Sequence, residues 1–147
     1  MKKTLLALIT ALVMSPAALA ATPLEQSCKV RDAMLADDRS TNLLPVLVDL
    51  FSWNTKMAPQ TISGALAVLA TFDYQRVDVF EGVTFGDFQQ THVIVGSLKA
   101  NTPIFIEMRY QLLNNKTRLT NVNFKDNLNK LYPNLIPGQN IPQLSCG

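Results

Sequence analysis

Three residues in the second half of the chain could take part in acid–base chemistry: Glu81, His92 and Tyr110. Enzymes use a carboxyl, an imidazole or a phenol to move protons when a pocket brings such groups together. His92 is the only histidine of the chain, and a single histidine on a strand is more often a surface or packing residue. These three residues are the catalytic candidates, and no nucleophile motif, metal-binding motif or phosphate-binding loop accompanies them.

Glu81 interrupts an alternating pattern of apolar side chains. It lies an even number of residues from Val77, Val83 and Phe85. In a strand such residues share one face, so the alternation places a carboxylate on an apolar face. A buried carboxylate needs a partner or has a raised pKa. Gly82 offers the alternative of a β-bulge that turns Glu81 outward. Both hypotheses stay open: a pocket acid that meets the other two candidates, or a surface carboxylate.

The two cysteines, Cys28 and Cys146, lie near the two ends of the expected mature protein. An even number of cysteines favours a disulfide in an oxidising compartment. This pairing would close nearly the whole mature chain into one loop, which the chain-entropy argument credits with about 4–5 kcal/mol. Two free thiols or a bridge between two chains are the alternatives. Two distant cysteines and one histidine are too few soft ligands for a metal, so we expect no metal site.

The N-terminal segment has the three parts of a secretory signal peptide. Lys2 and Lys3 precede an apolar run over residues 5–14, and Ala-Leu-Ala at 18–20 is the small-x-small pattern that signal peptidase accepts. We therefore expect a signal peptide over 1–20 and a bacterial protein that is periplasmic or secreted. An uncleaved anchor is the alternative, but the apolar run is shorter than the roughly 20 residues that span a bilayer. We expect no stable membrane insertion of the mature chain.

The charge balance gives no support to a polyanionic partner. Of the 13 basic residues, Lys2 and Lys3 belong to the signal peptide, which leaves 11 basic against 11 acidic residues in the mature chain. A chain with no net charge has no electrostatic basis for binding nucleic acid or an anionic membrane. We expect the partner to be a protein or a small apolar ligand, with no nucleic acid and no cofactor.

The apolar pattern predicts helices in the first half of the mature chain and strands in the second. Helical spacing predicts a helix over 28–38 with Ser27 as N-cap and a second over 43–53. A third helix would begin at Pro59, and its part over 62–72 is apolar nearly all round and hence buried. From residue 74 the period is alternating and predicts four strands. The four strands end at about residues 85, 98, 112 and 124, and Asn114-Asn115 is the last hairpin turn. A short helix over 126–132 and a proline-containing tail follow.

The third strand has the clearest alternation. The side chains expected to face inward are those of Ile104, Ile106, Met108, Tyr110 and Leu112. Phe105, Glu107 and Arg109 then share the outer face, which makes them candidates for protein binding, because aromatic and arginine side chains are common interface anchors. The alternative is an ordinary solvated strand face.

These elements predict an α+β domain over 21–147, with three N-terminal helices on one face of a four-stranded antiparallel meander. The tail must return over the surface for Cys146 to reach Cys28. The order of elements over residues 28–125 resembles the cystatin-like and NTF2-like superfold group in general layout. The resemblance rests on no motif, and it implies a curled sheet wrapped over helices but no particular activity.

The favoured hypothesis is a non-enzymatic, exported binding or interaction protein, for which an inhibitor or immunity-type protein is one concrete form. The alternative is a small-molecule carrier or small enzyme with a pocket lined by the curled sheet. A structural subunit of an envelope assembly is a third possibility. The side chain of Glu81 distinguishes the first two, because the enzyme hypothesis requires it to converge with His92 and Tyr110 around one enclosed cavity.

Overall fold

The computed structural model of the protein describes residues 21–56, 58–86, 88–98, 102–113, 116–132 and 140–147. The predicted signal peptide (1–20) and the predicted turn at Asn114-Asn115 lie outside the described residues. Within the described ranges, no helix is both long enough and apolar enough to cross a membrane.

Three helices precede the sheet, as the sequence predicts: α1 (Pro23–Leu35), α2 (Arg39–Phe51) and α3 (Ala58–Leu69). The prediction that Ser27 caps the first helix is wrong. Thr22 is the N-cap, and its side chain and that of Glu25 form a capping box around a proline in the first turn. Ser27 consequently lies inside α1, where it is fully buried.

The second helix begins earlier than predicted, at Arg39, and the third buries less than predicted. Asp38 caps α2, and its carboxylate accepts a hydrogen bond from the Thr41 N–H at 3.1 Å. The expectation that the third helix is buried all round is wrong, because within α3 only Ala65 and Leu69 are fully buried. α3 packs mainly on α2 and so lies at the side of the helical layer.

The sheet is antiparallel and has five strands in the order β4-β3-β2-β1-β5. The strands are β1 (Tyr74–Phe85), β2 (Gln89–Leu98), β3 (Pro103–Leu113), β4 (Lys116–Lys125) and β5 (Gln143–Leu144), with a short helix α4 (Leu128–Leu131) before β5. The first four strands form the predicted meander. The predicted strand count is wrong by one: β5 begins directly after Pro142 and pairs with Val79 and Phe80 of β1. Proline lacks a backbone N–H and therefore interrupts β-ladder hydrogen bonds only at its own position, so the residues after Pro142 can pair.

The core lies between α1, α2 and one face of the sheet. Its most buried side chains are those of Val30, Met34, Leu43, Leu47, Val79, Ile94, Ile106, Met108, Tyr110 and Leu119. The alternation predicted for β3 is confirmed for Ile106, Met108 and Tyr110, each at most 1% exposed. It is wrong for Leu112, which is 44% exposed because it lies at the end of the strand, beyond the buried part of the core.

The predicted disulfide between Cys28 and Cys146 is present, with the two Cα atoms 5.5 Å apart. It joins α1 to the C-terminal segment 140–147, which we call the strap. The strap also holds to β1 through a hydrogen bond from the Glu81 N–H to the Pro142 carbonyl at 2.9 Å. The side chain of Leu144 and the bridge at Cys146 pack against the core. The strap therefore borders the edge of β1 and is fixed at its far end by the bridge.

Trp53, which follows α2, connects the helical layer to β4, the edge strand on the side of the sheet away from the strap. Its indole Nε1–H donates to the Leu119 carbonyl of β4 at 2.9 Å. The Arg118 guanidinium lies 5.8 Å from the indole centroid, within the range of a cation–π contact. Trp53 thus contacts one edge strand, β4, and the strap supplies the other edge strand, β5.

Candidate functional site

Glu81 does not meet His92 and Tyr110 in an enclosed site. β1 has a bulge between Glu81 and Thr84, at the place where Gly82 indicates one. The Glu81 side chain is exposed, whereas His92, which faces it across the strands, is 5% exposed. The cavity that Glu81 lines contains neither of the other two candidates. Their catalytic roles stay predictions: the Glu81 side chain is exposed, while the imidazole and the phenol are buried.

The bulge also changes the side chains that follow it. The sequence predicts that Val83 and Phe85 face inward with Val77, and this is wrong, because they are 46% and 63% exposed. Val77, before the bulge, is buried as predicted. The extra residue turns the end of β1 away from the face that the helices cover. A Cβ at Gly82 would lie 2.7 Å from a backbone oxygen of the facing strand, so only glycine fits there.

His92 and Tyr110 belong instead to a hydrogen-bonded cluster under α1. The Ser27 hydroxyl lies 2.9 Å from His92 Nδ1 and 2.7 Å from the Tyr110 hydroxyl. The two rings stand edge to face with centroids 5.5 Å apart. The cluster thus joins α1 to two neighbouring strands, β2 and β3, through side chains that are distant in sequence.

The environment of this cluster favours neutral side chains. Burial lowers the pKa of His92 to about 4, against the opposing effect of a hydrogen bond with the Pro23 backbone. Proline has only a carbonyl to offer, so one ring nitrogen donates a proton to it. Nδ1 of the neutral ring can then accept from Ser27, which in turn accepts from Tyr110. Burial likewise raises the pKa of Tyr110, against the opposing effect of its hydrogen bond with Ser27.

A serine hydroxyl beside a histidine nitrogen is the arrangement of an activated nucleophile. Here Ser27 is 0% exposed, Tyr110 is 1% exposed and His92 is 5% exposed, so a substrate atom has no approach to the hydroxyl. The arrangement fits a structural role, in which each buried polar group has a partner and α1 is held in register on the sheet. Sequence reasoning assigned Ser27 to a helix cap; the Thr-Pro-Leu-Glu capping signature at 22–25 is the signal that places it inside the helix instead.

The predicted protein-binding stripe on the outer face is less exposed than expected. Glu107 is only 9% exposed, and its carboxylate accepts from the Asn123 amide at 2.6 Å. Arg109 Nη2 lies 3.5 Å from the same carboxylate. Tyr132 lies near both charges. Burial and the negative charge of Glu107 raise the pKa of Tyr132 to about 12, and the positive charge of Arg109 opposes this rise. The assumed exposure is wrong for Glu107, while the binding role of Phe105, Glu107 and Arg109 stays a prediction.

Four large apolar side chains are exposed at one end of the sheet, and we call them the apolar tip: Val83, Phe85, Phe88 and Leu112. They are 46%, 63%, 58% and 44% exposed. Leu112 is joined to Phe88 by a hydrogen bond from its N–H to the Phe88 carbonyl at 3.1 Å. The turn between the first two strands includes Gly86 at φ +51°, a conformation that favours glycine. The sequence did not indicate this surface, because alternation alone predicts an inward Val83 and Phe85.

No part of the described chain brings together three or more His, Cys, Asp or Glu side chains that could hold a metal ion. Comparison with known proteins adds no family: no protein-family model matches the chain, and no curated protein and no solved structure is significantly similar to it.

Proposed function

We propose that this chain is an exported interaction protein that contacts a protein partner through the apolar tip. The observation that carries the proposal is that four large apolar side chains, each 44–63% exposed, lie at the same end of the sheet. Single exposed apolar residues are ordinary, but a grouped set marks an interaction surface. Two of the four, Phe85 and Phe88, are aromatic, and aromatic side chains are enriched at the centre of protein interfaces.

The shape and polarity of the tip favour an apolar cleft as the complementary surface. The tip is the end of a hairpin and the adjoining end of β3, so it projects from the sheet. Gln89 and Gln111, which pair across the adjoining ends of β2 and β3, carry amides rather than charges. A projecting surface of this kind fits a concave apolar site on a folded protein. An inhibitor or immunity-type protein that enters the cleft of an enzyme or toxin is one concrete form.

Export is part of the proposal. It is supported by the signal-peptide pattern at 1–20 and by the disulfide, since disulfides persist in oxidising compartments. We propose that the protein is in the periplasm or the external medium of a bacterium and that it meets its partner in the same compartment.

The alternative, a carrier or small enzyme that uses a pocket lined by the curled sheet, has less support. Among the largest fully buried side chains are Tyr110, Met34 and Met108, and they fill the space between the helices and the sheet. A ligand in that space would have to displace them, and well-packed cores resist this. The cystatin-like and NTF2-like layout also remains a proposal, one about the fold and not about activity.

Site-specific photo-crosslinking in the producing cell tests the proposed surface. A photoreactive phenylalanine analogue replaces Phe88 at the tip, and the matched control carries it at Val48, an apolar residue of α2 that is 49% exposed. Both sites are open and both side chains are apolar, so any difference between them reflects location. We expect one discrete protein adduct from position 88 and none of that mass from position 48.

Competition completes the test. Excess untagged wild-type protein should suppress the adduct, and a Phe85→Ser, Phe88→Ser double variant should not. The substitutions are at exposed positions, so circular dichroism should show an unchanged fold. Equal adducts from both positions, or suppression by the double variant, would refute the apolar tip as the binding surface.

A further inference from the structure

A cavity of about 240 Å³ lies between the end of β1 and the strap. Its walls are Glu81, Gly82 and Val83 on one side, residues 140–142 on the other, and Tyr132. The cavity forms because the strap follows β1 only as far as the hydrogen bond at Glu81 and then diverges from it. This space is distinct from the buried cluster under α1.

Two polar groups in this cavity have no partner among the residues that the structure describes. The Tyr132 hydroxyl is buried and makes no hydrogen bond within the described part of the chain. The Glu81 carboxylate likewise makes no ion pair or hydrogen bond with the described residues. A buried hydroxyl without a partner is uncommon in native proteins, and each case requires a reason, such as a bound molecule. A partner that satisfies both groups must itself carry a hydrogen-bond donor.

The backbone at Gly82 accommodates the tyrosine. A Cβ at this position would lie 2.8 Å from the Tyr132 hydroxyl oxygen, so any other residue would force the hydroxyl away. The absence of a side chain at Gly82 therefore leaves room for the phenol oxygen against β1, and Glu81, the preceding residue, lines the same cavity. The opposite wall is held in place because the strap is fixed by the Cys28–Cys146 bridge.

The charges and the size of the cavity define a class of ligand. Glu81 is the one charged side chain among the described residues of the lining. The nearby Glu107 and Arg109 carry opposite charges and pair with each other. The remaining walls are apolar at Val83, Ile141 and Pro142. A volume of about 240 Å³ is below the roughly 300–1,000 Å³ of pockets for drug-sized molecules, so the ligand is small.

We propose that this cavity is a binding site for a small organic cation, a primary amine on an apolar body. The ammonium group donates to the Glu81 carboxylate and to the Tyr132 oxygen, and the apolar body lies against Ile141 and Pro142. The site does not depend on a protein partner at the apolar tip.

The test uses three probes with the same ring and different charge: benzylamine, benzyl alcohol and benzoate. Each is titrated into the mature, disulfide-bonded protein while amide resonances are followed by NMR. We expect benzylamine to give saturable shifts at residues 81–83 and 140–144, benzyl alcohol to bind more weakly, and benzoate to give no shifts there. Equal shifts from the amine and the alcohol would overturn the proposal, as would shifts confined to other residues or no saturation in the millimolar range.

Variants assign the two polar contacts. Glu81→Gln should weaken benzylamine about fivefold to tenfold, as expected for loss of a charge-assisted hydrogen bond at an exposed site, and should leave benzyl alcohol unchanged. Tyr132→Phe keeps the ring and should weaken the binding of both probes.

Asp37→Asn, which removes the same charge from an exposed position between α1 and α2, is the control and should change the binding of neither probe. An Asp37→Asn effect as large as that of Glu81→Gln would show non-specific attraction and refute the site. Phe88→Ser should leave benzylamine binding intact, so failure of the apolar tip and failure of this site are distinguishable.

Discussion

The buried imidazole of His92 should make the protein less stable in mild acid. Burial lowers the pKa of this residue to about 4 in the folded chain, and an unfolded chain has the ordinary histidine pKa of about 6.5. Between these two values the unfolded state binds more protons than the folded state. The free energy of unfolding therefore rises with pH in this window and falls as the solution is acidified.

The expected magnitude follows from the two pKa values. Integration of the linkage relation gives a loss of about 2 kcal/mol in the free energy of unfolding from pH 7 to pH 5. His92 is the only histidine, and histidine is the side chain whose ordinary pKa lies within this window. The slope in this range therefore reports on one residue. A loss of this size is a substantial part of the roughly 5–15 kcal/mol by which small domains are stable.

Urea unfolding at pH 7, 6 and 5 measures the effect, with the fluorescence of the single tryptophan, Trp53, as the signal. The control is His92→Asn, which keeps hydrogen-bonding groups near Ser27 but does not titrate. This variant should be less stable than the wild type at pH 7 and should lose the pH dependence. A wild-type free energy that is flat between pH 7 and pH 5, or an equal slope in the variant, would refute the assignment of a neutral buried His92.

Three further variants test the disulfide and the packing. The double variant Cys28→Ser, Cys146→Ser should lose about 4–5 kcal/mol in urea unfolding, because the bridge closes a loop with a sequence separation of 118; a loss below about 1 kcal/mol would contradict this. Gly82→Ala puts a methyl group 2.7 Å from a backbone oxygen and should destabilise the protein by about 1–3 kcal/mol, measured as a lower midpoint of thermal unfolding. An unchanged midpoint would refute the close approach. Trp53→Phe removes the hydrogen bond to β4 and should cost about 1 kcal/mol, measured by guanidinium unfolding followed by circular dichroism; a neutral result would remove that contact from the account.

The order of elements could be predicted from the sequence because helical and strand periods are local properties. β2 covers the predicted residues, and the predicted side-chain alternation of β3 holds for Ile106, Met108 and Tyr110. β5 could not be predicted in this way. Two residues after Pro142 have no periodicity, and they form a strand only because β1 offers an edge and the disulfide brings the tail to it.

The candidate site was harder to predict for the same physical reason. The bulge at Gly82 was anticipated as one of two possibilities for Glu81, but its effect on Val83 and Phe85 was not, because a bulge reverses which face the following side chains occupy. The hydrogen bond between Ser27 and His92 joins residues 65 positions apart, and no local pattern encodes such a contact. The apolar tip and the buried cluster therefore required three-dimensional information.

Export, followed by closure of the chain through the Cys28–Cys146 disulfide, is the premise of the proposed function. The most direct test is the intact mass of the native protein from its own host, measured before and after reduction. We expect a chain that has lost residues 1–20 and that gains two hydrogens when Cys28 and Cys146 are reduced. A full-length polypeptide with two free thiols would contradict the account.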